Sequence, residues 1–254
     1  MVWDPKTYLA FGEERTRPAH ELLARISRDN PKRIADLGCG PGNSTALLAA
    51  RWPDAELEGV DSSAEMLDDA RKSPFNARWT QANLAQWRPA AACDIIYSNA
   101  TFQWLPDHAH LLPRLAEHVT GDGVFAFQVP RNFDEPCHTL IREIAKSGPW
   151  RAKLEAARHS WNVLDPHAYF DIFEPVAKSV DIWETRYVQV LKGEDGVFRW
   201  MMGTGLRPFA DALEGEEREA FLSEYKTRVR EAYPPRKSGA TLYPFRRLFC
   251  VVQV

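Results

Sequence analysis

Three glycines at alternate positions, Gly38, Gly40 and Gly42, follow Ala35-Asp36-Leu37 and lead into a run that reads as a helix over 44–51. Glycine lets the backbone turn sharply and lets a ligand come within contact distance. In open parallel sheets, ligands bind outside the carboxyl ends of the strands. One glycine here would read as a plain strand-to-helix turn, whereas three at alternate positions after a first strand read as a ligand cradle. The spacing excludes two common cradles. A dinucleotide fingerprint needs its third glycine where Asn43 stands. A P-loop needs a Gly-Lys-Ser/Thr that does not follow.

What remains, G-x-G-x-G with Asp36 two residues upstream, resembles the first motif of the class I S-adenosylmethionine methyltransferases. The resemblance implies a cofactor without phosphates, whose methionine end carries an ammonium and a carboxylate. Asp36 would pair with the ammonium directly or through water, and backbone N–H groups of the loop would meet the carboxylate, with Gly38, Cys39 and Gly40 in the cofactor-binding set. Asp61 ends the second expected strand; alone it reads as a turn residue, but beside Asp36 and the glycines it can accept both ribose hydroxyls, with Ser62 next to it. Met66 can pack on adenine, or equally in the core. Asn83 stands where this family often has an aspartate for the adenine amino group; its carbonyl keeps the acceptor but loses the charge. Leu84 would offer a backbone N–H to the ring. Asn99, at the end of the fourth strand, completes the cofactor-binding set.

The fourth strand ends in Ser98-Asn99-Ala100-Thr101, without the Pro-Pro-aromatic sequence of nucleobase amino methylases. Phe102, Gln103 and Trp104 would face the methyl group in this fold; the alternative for the two aromatics is core packing. The segments around Trp3, Arg15 to Ala19, Ala35 to Leu48, Gln103-Trp104-Leu-Pro-Asp107, Val180 to Trp183, Thr204-Gly-Leu-Arg-Pro208 and Arg247-Leu-Phe249 together resemble the trans-aconitate 2-methyltransferase family nearly end to end. That resemblance implies esterification of one carboxylate of trans-aconitate, or of a related polycarboxylate, to a monomethyl ester and S-adenosylhomocysteine.

Such a reaction needs no general base, because carboxyl groups are ionised at neutral pH. A dry pocket speeds the neutralisation of sulfonium by carboxylate, and alignment supplies the rest. A polycarboxylate calls for arginine forks. Arg207 is the first candidate, then Arg17 and Arg246, with Arg131 weaker. Tyr8 and Trp200 are expected to cover the acceptor, Trp200 being also a natural core residue, and Tyr243 is less well placed. His108 and His110 form H-x-H without a third ligand near in sequence, so a surface or capping role is expected and no metal. No G-x-S-x-G nucleophile elbow is present. Two other readings stay open: methylation of another acceptor such as a phenol or amine, and a cofactor-binding module without catalysis.

These residues need a parallel sheet to position them. Strand and helix signals alternate through the first half. Strands are expected at 33–37, 56–61, 77–82, 94–99 and 124–129, with helices at 17–27, 44–51, 63–72 and 110–118 and a turn at Gly121-Asp122-Gly123. After Pro130 the rhythm gives way to helices and loops over 132–175, a long strand at 180–191, helices over 194–233 and a final strand at 247–254. The expected fold is α/β and Rossmann-like: a seven-stranded, mostly parallel sheet with an antiparallel C-terminal strand, helices on both faces and a helical insertion before the last strand. A single domain over 1–254 is expected, with an N-terminal helical cap (1–30), a cofactor-binding core (31–130) and helical segments covering the acceptor (132–175 and 194–240).

The net charge of −3 carries no polyanion-binding signature, so a small-molecule partner is expected rather than nucleic acid. Four scattered cysteines without a C-x-x-C pair suit a reducing compartment. No apolar leader or membrane-length run is present. A cytoplasmic monomer is expected.

Overall fold

The structure, a computed structural model, describes residues 12–155, 157 and 162–254. By their contacts these fall into two compact units. The sheet unit comprises residues 12–130, 162–185 and 247–254; the helical unit comprises residues 131–155, 157 and 186–246.

The sheet unit opens with α1 (Gly12–Ala24), then β1 (Arg33–Leu37), α2 (Asn43–Arg51), β2 (Glu56–Asp61), α3 (Ala64–Ala70), β3 (Arg78–Gln81) and β4 (Cys93–Asn99). A 3₁₀ turn, Phe102–Trp104, leads to α4 (His108–Ala116) and β5 (Val119–Pro130), and α6 (Pro166–Phe173) follows later in the chain. The seven-stranded sheet has the order β3-β2-β1-β4-β5-β7-β6, where β6 is Ser179–Lys192 and β7 is Ala240–Gln253. The first five strands pair in parallel and β7 runs antiparallel to β5, as expected from the sequence.

Central strands β1 and β4 are buried along nearly their whole length, the pattern of strands covered on both faces. Ala35, Leu37, Ile96, Phe125 and Phe127 share a core with Leu111, Leu112 and Leu115 of α4 and with Tyr169 and Phe173 of α6. The opposite face meets α1, where the Tyr97 hydroxyl donates to the Ala19 carbonyl at 2.8 Å. Ser63 caps α3 by accepting the Met66 N–H at 3.3 Å, which supplies one of the helix's orphan donors with a partner.

Two strands are longer than expected. Gly121-Asp122-Gly123 lies inside β5 rather than before it: pairing passes from Cys93–Val119 directly to Ile95–Val124, so the extra residues form a bulge. A Cβ on Gly123 would lie 2.8 Å from the Asp94 carbonyl oxygen, so only glycine admits this approach. β7 begins at Ala240, not 247. Pro244 masks the strand signal, yet Thr241, Tyr243 and Phe245 alternate as buried residues.

The helical unit contains α5 (Pro136–Ser147), a 3₁₀ turn (Pro149–Arg151), α7 (Gly196–Met202), α8 (Arg207–Asp211) and α9 (Gly215–Ala232). Its core gathers Ile141, Ile144, Trp150, Trp200, Phe221, Tyr225 and Tyr243. Among the described residues, no helix is long and apolar enough to cross a membrane.

Candidate active site

Asp36 lies on β1 and is 1% exposed. Its Oδ2 accepts from the hydroxyls of Ser44 at 2.7 Å and Thr45 at 2.6 Å, both in the first turn of α2. Its Oδ1 is buried and has no hydrogen-bond partner among the described residues. Burial pushes the carboxyl up to about 6; the hydrogen bonds from Thr45 and Ser44 pull it down, and the Asp61 charge adds to the rise. A buried polar atom left in this condition is costly unless a ligand or water satisfies it.

The glycine turn follows. Gly38, Gly40 and Gly42 all take left-handed φ values of 72°, 55° and 91°, a region that other residues enter at a cost. Both Gly38 N–H and Cys39 N–H donate to the Val60 carbonyl, at 2.7 and 3.1 Å, which ties the turn to β2. Asp61 braces it further: Oδ2 accepts Gly40 N–H and Oδ1 accepts Ser63 N–H, each at 2.9 Å. Nothing lies within 4 Å of where a Gly40 Cβ would point, so that side of the turn faces open space. The Cys39 thiol is buried, and burial pushes its pKa well up, so it stays protonated.

β4 ends beside this turn. Thr101 Oγ1 donates to the Gly38 carbonyl at 3.2 Å, and Ala100 takes a φ of 56°. Gln103, 5% exposed, donates through Nε2 to the Ala100 carbonyl at 2.6 Å, while its Oε1 is buried without a partner. A backbone carbonyl can only accept, so the amide is fixed with its oxygen outward from that bond. Phe102 is fully buried against Phe125 and Phe127 and is a core residue. Trp104 is half-buried.

His108 departs from the expected surface or capping role. It is buried, with Nδ1 2.8 Å from the Tyr169 hydroxyl and Nε2 2.8 Å from the Phe102 carbonyl. The carbonyl requires Nε2 to carry the proton, so Nδ1 accepts from Tyr169. Burial lowers the imidazole's pKa, with the carbonyls of Phe102 and Leu105 pulling the other way. His110 is exposed and bonds Asp107 at 2.7 Å. The two rings of the H-x-H thus serve different partners.

The other expected cofactor residues lie on the same unit. Met66 and Leu84 are buried. Ser62 is exposed, and its carbonyl accepts from Gln81 Nε2 at 3.2 Å. Asn83 Oδ1 accepts the Ala85 N–H at 2.9 Å, so the carbonyl expected to read an adenine amino group already closes its own turn. Asn99 Oδ1 accepts from Gln128 Nε2 at 2.6 Å, and Gln128 Oε1 accepts from Arg247 Nη1 at 3.2 Å.

Among the expected acceptor residues, Tyr8 lies outside the described residues, and Arg17 is exposed on α1. Trp200 is 2% exposed and packs edge-on or tilted against Tyr243 and Phe245. It lies in the core of the helical unit, the core-packing alternative that the sequence also offered. Tyr243 is likewise buried, with its hydroxyl held by Asn132 at 3.1 Å. Arg246 is committed to structure: Nε donates to the Arg131 carbonyl at 2.8 Å and Nη2 to both Asp134 oxygens at 3.0 and 2.9 Å. Arg207 opens α8, with Nε 3.4 Å from Asp211 Oδ2.

Sequence reasoning missed Ser44, Thr45, Gln128 and Tyr169. For Ser44 and Thr45 a signal existed, since two hydroxyl residues directly after a glycine turn can reach back to a strand-end acid. Gln128 carried one too, as a polar residue within the apolar run of β5.

A family profile described as a methyltransferase domain matches residues 11–175. Trans-aconitate 2-methyltransferase from Azoarcus sp. (strain BH72) is 49% identical over 250 residues, covering 98% of each chain. The protein of the same name from Rhodopseudomonas palustris (strain BisB18) is 47% identical over 250 residues, with the same coverage. Among solved structures, the plantazolicin methyltransferase BpumL in complex with a triazolic desmethylPZN analog and SAH has the same fold at a TM-score of 0.51 and 16% identity, over 97% of this chain and 84% of that one. With the glycine turn, its two braced acids and this end-to-end similarity together, the chain belongs to the trans-aconitate 2-methyltransferase family of methyltransferases.

Proposed function

We propose that the protein transfers a methyl group from S-adenosylmethionine to a carboxylate of trans-aconitate or a closely related polycarboxylate, releasing a monomethyl ester and S-adenosylhomocysteine. The observation that carries the reading is the unpartnered Oδ1 of buried Asp36 beside a turn whose Gly40 faces open space, in a chain that matches relatives of that name from end to end. A buried acceptor oxygen on an acid suits a cationic N–H group, and the donor's ammonium is one. Asp36, Gly38, Cys39, Gly40, Asp61, Ser62, Met66, Asn83 and Leu84 are the residues proposed to hold the donor. Bound there, the donor supplies an electrophilic methyl on a positively charged sulfur.

The acceptor carboxylate needs no deprotonation at neutral pH, and the protein's part is to orient it and keep water out. His108, with both ring nitrogens engaged, is not available as a general base. A phenol acceptor usually needs a base such as His or Lys. Arg207 and Arg17 are proposed to hold the carboxylates that do not react, with Tyr8 and Trp104 against the acceptor. Gln103 offers an oxygen, which suits an N–H or O–H of the donor better than an anionic acceptor. The partner is a small molecule, not nucleic acid or a membrane, and the protein acts as a cytoplasmic monomer without a metal; its four cysteines are all unpaired and buried, in keeping with a reducing compartment.

The test is incubation of the protein with S-adenosylmethionine and a set of organic acids, read by mass spectrometry. A product 14 mass units heavier than trans-aconitate and labile to base is expected. Turnover of a phenol or amine instead, with trans-aconitate untouched, would replace the acceptor; cofactor binding without any turnover would make the chain a binding module.

A further inference from the structure

A hydrogen-bond relay on the sheet unit decides which atom Asn99 shows to the end of β4. It begins at Arg247, which is 6% exposed and donates from Nη1 to Gln128 Oε1. A guanidinium has no acceptor, so Gln128 must turn its oxygen to Arg247 and its Nε2 away. Gln128 is fully buried, and that Nε2 donates to Asn99 Oδ1 at 2.6 Å. The same logic then applies to Asn99: its oxygen is taken, and its Nδ2 points elsewhere. Asn99 is half-buried, and no partner holds its Nδ2 among the described residues. Asn99 and Gln128 are paired neighbours on β4 and β5, so the relay is rigid. Two successive amide orientations follow from one group that can only donate.

We propose that Asn99 binds the carboxylate acceptor through Nδ2–H, and that Gln128 and Arg247 are positioning residues that hold it in this orientation. The sequence alone groups Asn99 with the donor-binding residues. The geometry moves it to the anion, since an amide N–H pair without a partner at a ligand-binding strand end complements a carboxylate. An Asn turned the other way would offer an oxygen and repel it. Gln103 has the opposite polarity, with its amide N–H held by Ala100 and its oxygen left over. The amide that ends β4 and the one four residues on therefore divide the site by polarity, N–H toward an anion and C=O toward a donor group. The inference rests on the proposed carboxylate acceptor.

The decisive variant is Gln128→Glu. A glutamate there still accepts from Arg247 but has no N–H for Asn99, whose amide must turn to donate and so present its oxygen to the acceptor. Trans-aconitate is titrated calorimetrically into protein saturated with S-adenosylhomocysteine, and S-adenosylhomocysteine alone is titrated separately. Gln128→Glu is expected to weaken trans-aconitate by about tenfold or more, the loss typical of a hydrogen bond to a charged group, with S-adenosylhomocysteine affinity changed by less than about twofold. In an Asn99→Ala background the same substitution should have no further effect. Arg247→Lys, which keeps a donor, should bind trans-aconitate more tightly than Arg247→Met. The inference is overturned if Gln128→Glu leaves trans-aconitate affinity unchanged, weakens both ligands in step, or acts equally in the Asn99→Ala background. Should Arg247→Met fail to fold, the nearly isosteric Gln128→Glu and the Asn99→Ala pair still decide the matter. Wild-type protein that binds no polycarboxylate overturns the proposed substrate and this inference together; wild-type binding with an indifferent Gln128→Glu overturns the inference alone.

Discussion

The side chain of Thr101 fills the space a Cβ on Gly38 would need, with its Oγ1 2.1 Å from that position. Strand β4 is thereby latched onto the turn after β1, and Oγ1 returns a hydrogen bond to the Gly38 carbonyl. Gly40, two residues on, has the same left-handed conformation but nothing nearby. The two glycines should therefore respond differently to alanine. Gly38→Ala adds a steric clash to a backbone penalty of about 1–2 kcal/mol and should lower the melting temperature markedly. Gly40→Ala carries the backbone penalty alone, so the protein should fold, yet its methyl group projects where the donor is proposed to lie. A calorimetric titration of S-adenosylhomocysteine should show lost affinity in folded Gly40→Ala; undiminished affinity would place the donor elsewhere.

Asp36 should make donor binding pH-dependent. Its carboxyl is raised from 3.8 to about 6 in the fold, chiefly by burial. The folded state thus holds the proton more tightly than the unfolded chain, and this group's contribution to stability falls as pH rises between those values, by about 3 kcal/mol in all. Donor binding has the opposite preference, because a cation beside Oδ1 favours the ionised carboxylate. Affinity for S-adenosylhomocysteine should therefore fall by up to about tenfold per unit as pH drops below 6. Asp36→Asn should bind weakly at every pH and show no such dependence.

Ser44 and Thr45 set where that transition lies. Their hydroxyls lower the Asp36 pKa, Thr45 more than Ser44. Thr45→Val should raise the midpoint of the pH dependence further than Ser44→Ala does. Equal midpoints in all three proteins would show that the hydroxyls do not govern the acid.

Tyr169→Phe should cost about 1–3 kcal/mol in urea unfolding, since it strands the buried Nδ1 of His108 and removes the acceptor for the Leu164 N–H. His108 itself has its pKa lowered by burial from 6.5. The unfolded chain takes up the proton first, so the stability His108 contributes is present above pH 6.5 and is lost as pH falls below it. That is the reverse of the Asp36 trend, and a urea series across pH, repeated in Asp36→Asn, separates the two.

Arg207→Ala should raise KM for trans-aconitate much more than KM for S-adenosylmethionine, because a fork that holds non-reacting carboxylates contributes to acceptor binding. Equal changes in both would remove Arg207 from the acceptor site.

Much of the sheet unit was legible from residue patterns. Strand-length apolar runs at β1, β2 and β4 alternate with helical periodicity, and a glycine turn marks the carboxyl end of β1. Local steric and hydrophobic rules act over a few residues, so they can be read without the fold. The bulge that absorbs Gly121 to Gly123 into β5 was not legible, because it depends on β4 lying alongside. Nor was the early start of β7, where Pro244 obscures an alternation that only burial reveals.

Residue types, spacings and local turn chemistry were settled by the sequence itself: three glycines able to take positive φ, two strand-end acids and an α/β order of elements. Tertiary structure alone decided how polar atoms are shared out. It turned one oxygen of Asp36 toward Ser44 and Thr45 and left the other over, buried Trp200 in the core of the helical unit, tied up Arg246 with Asp134, and set the face of Asn99 from Arg247, far along the chain. The reason is that a hydrogen bond's direction is fixed by whichever partner can play only one role, and those partners meet only when the chain has folded.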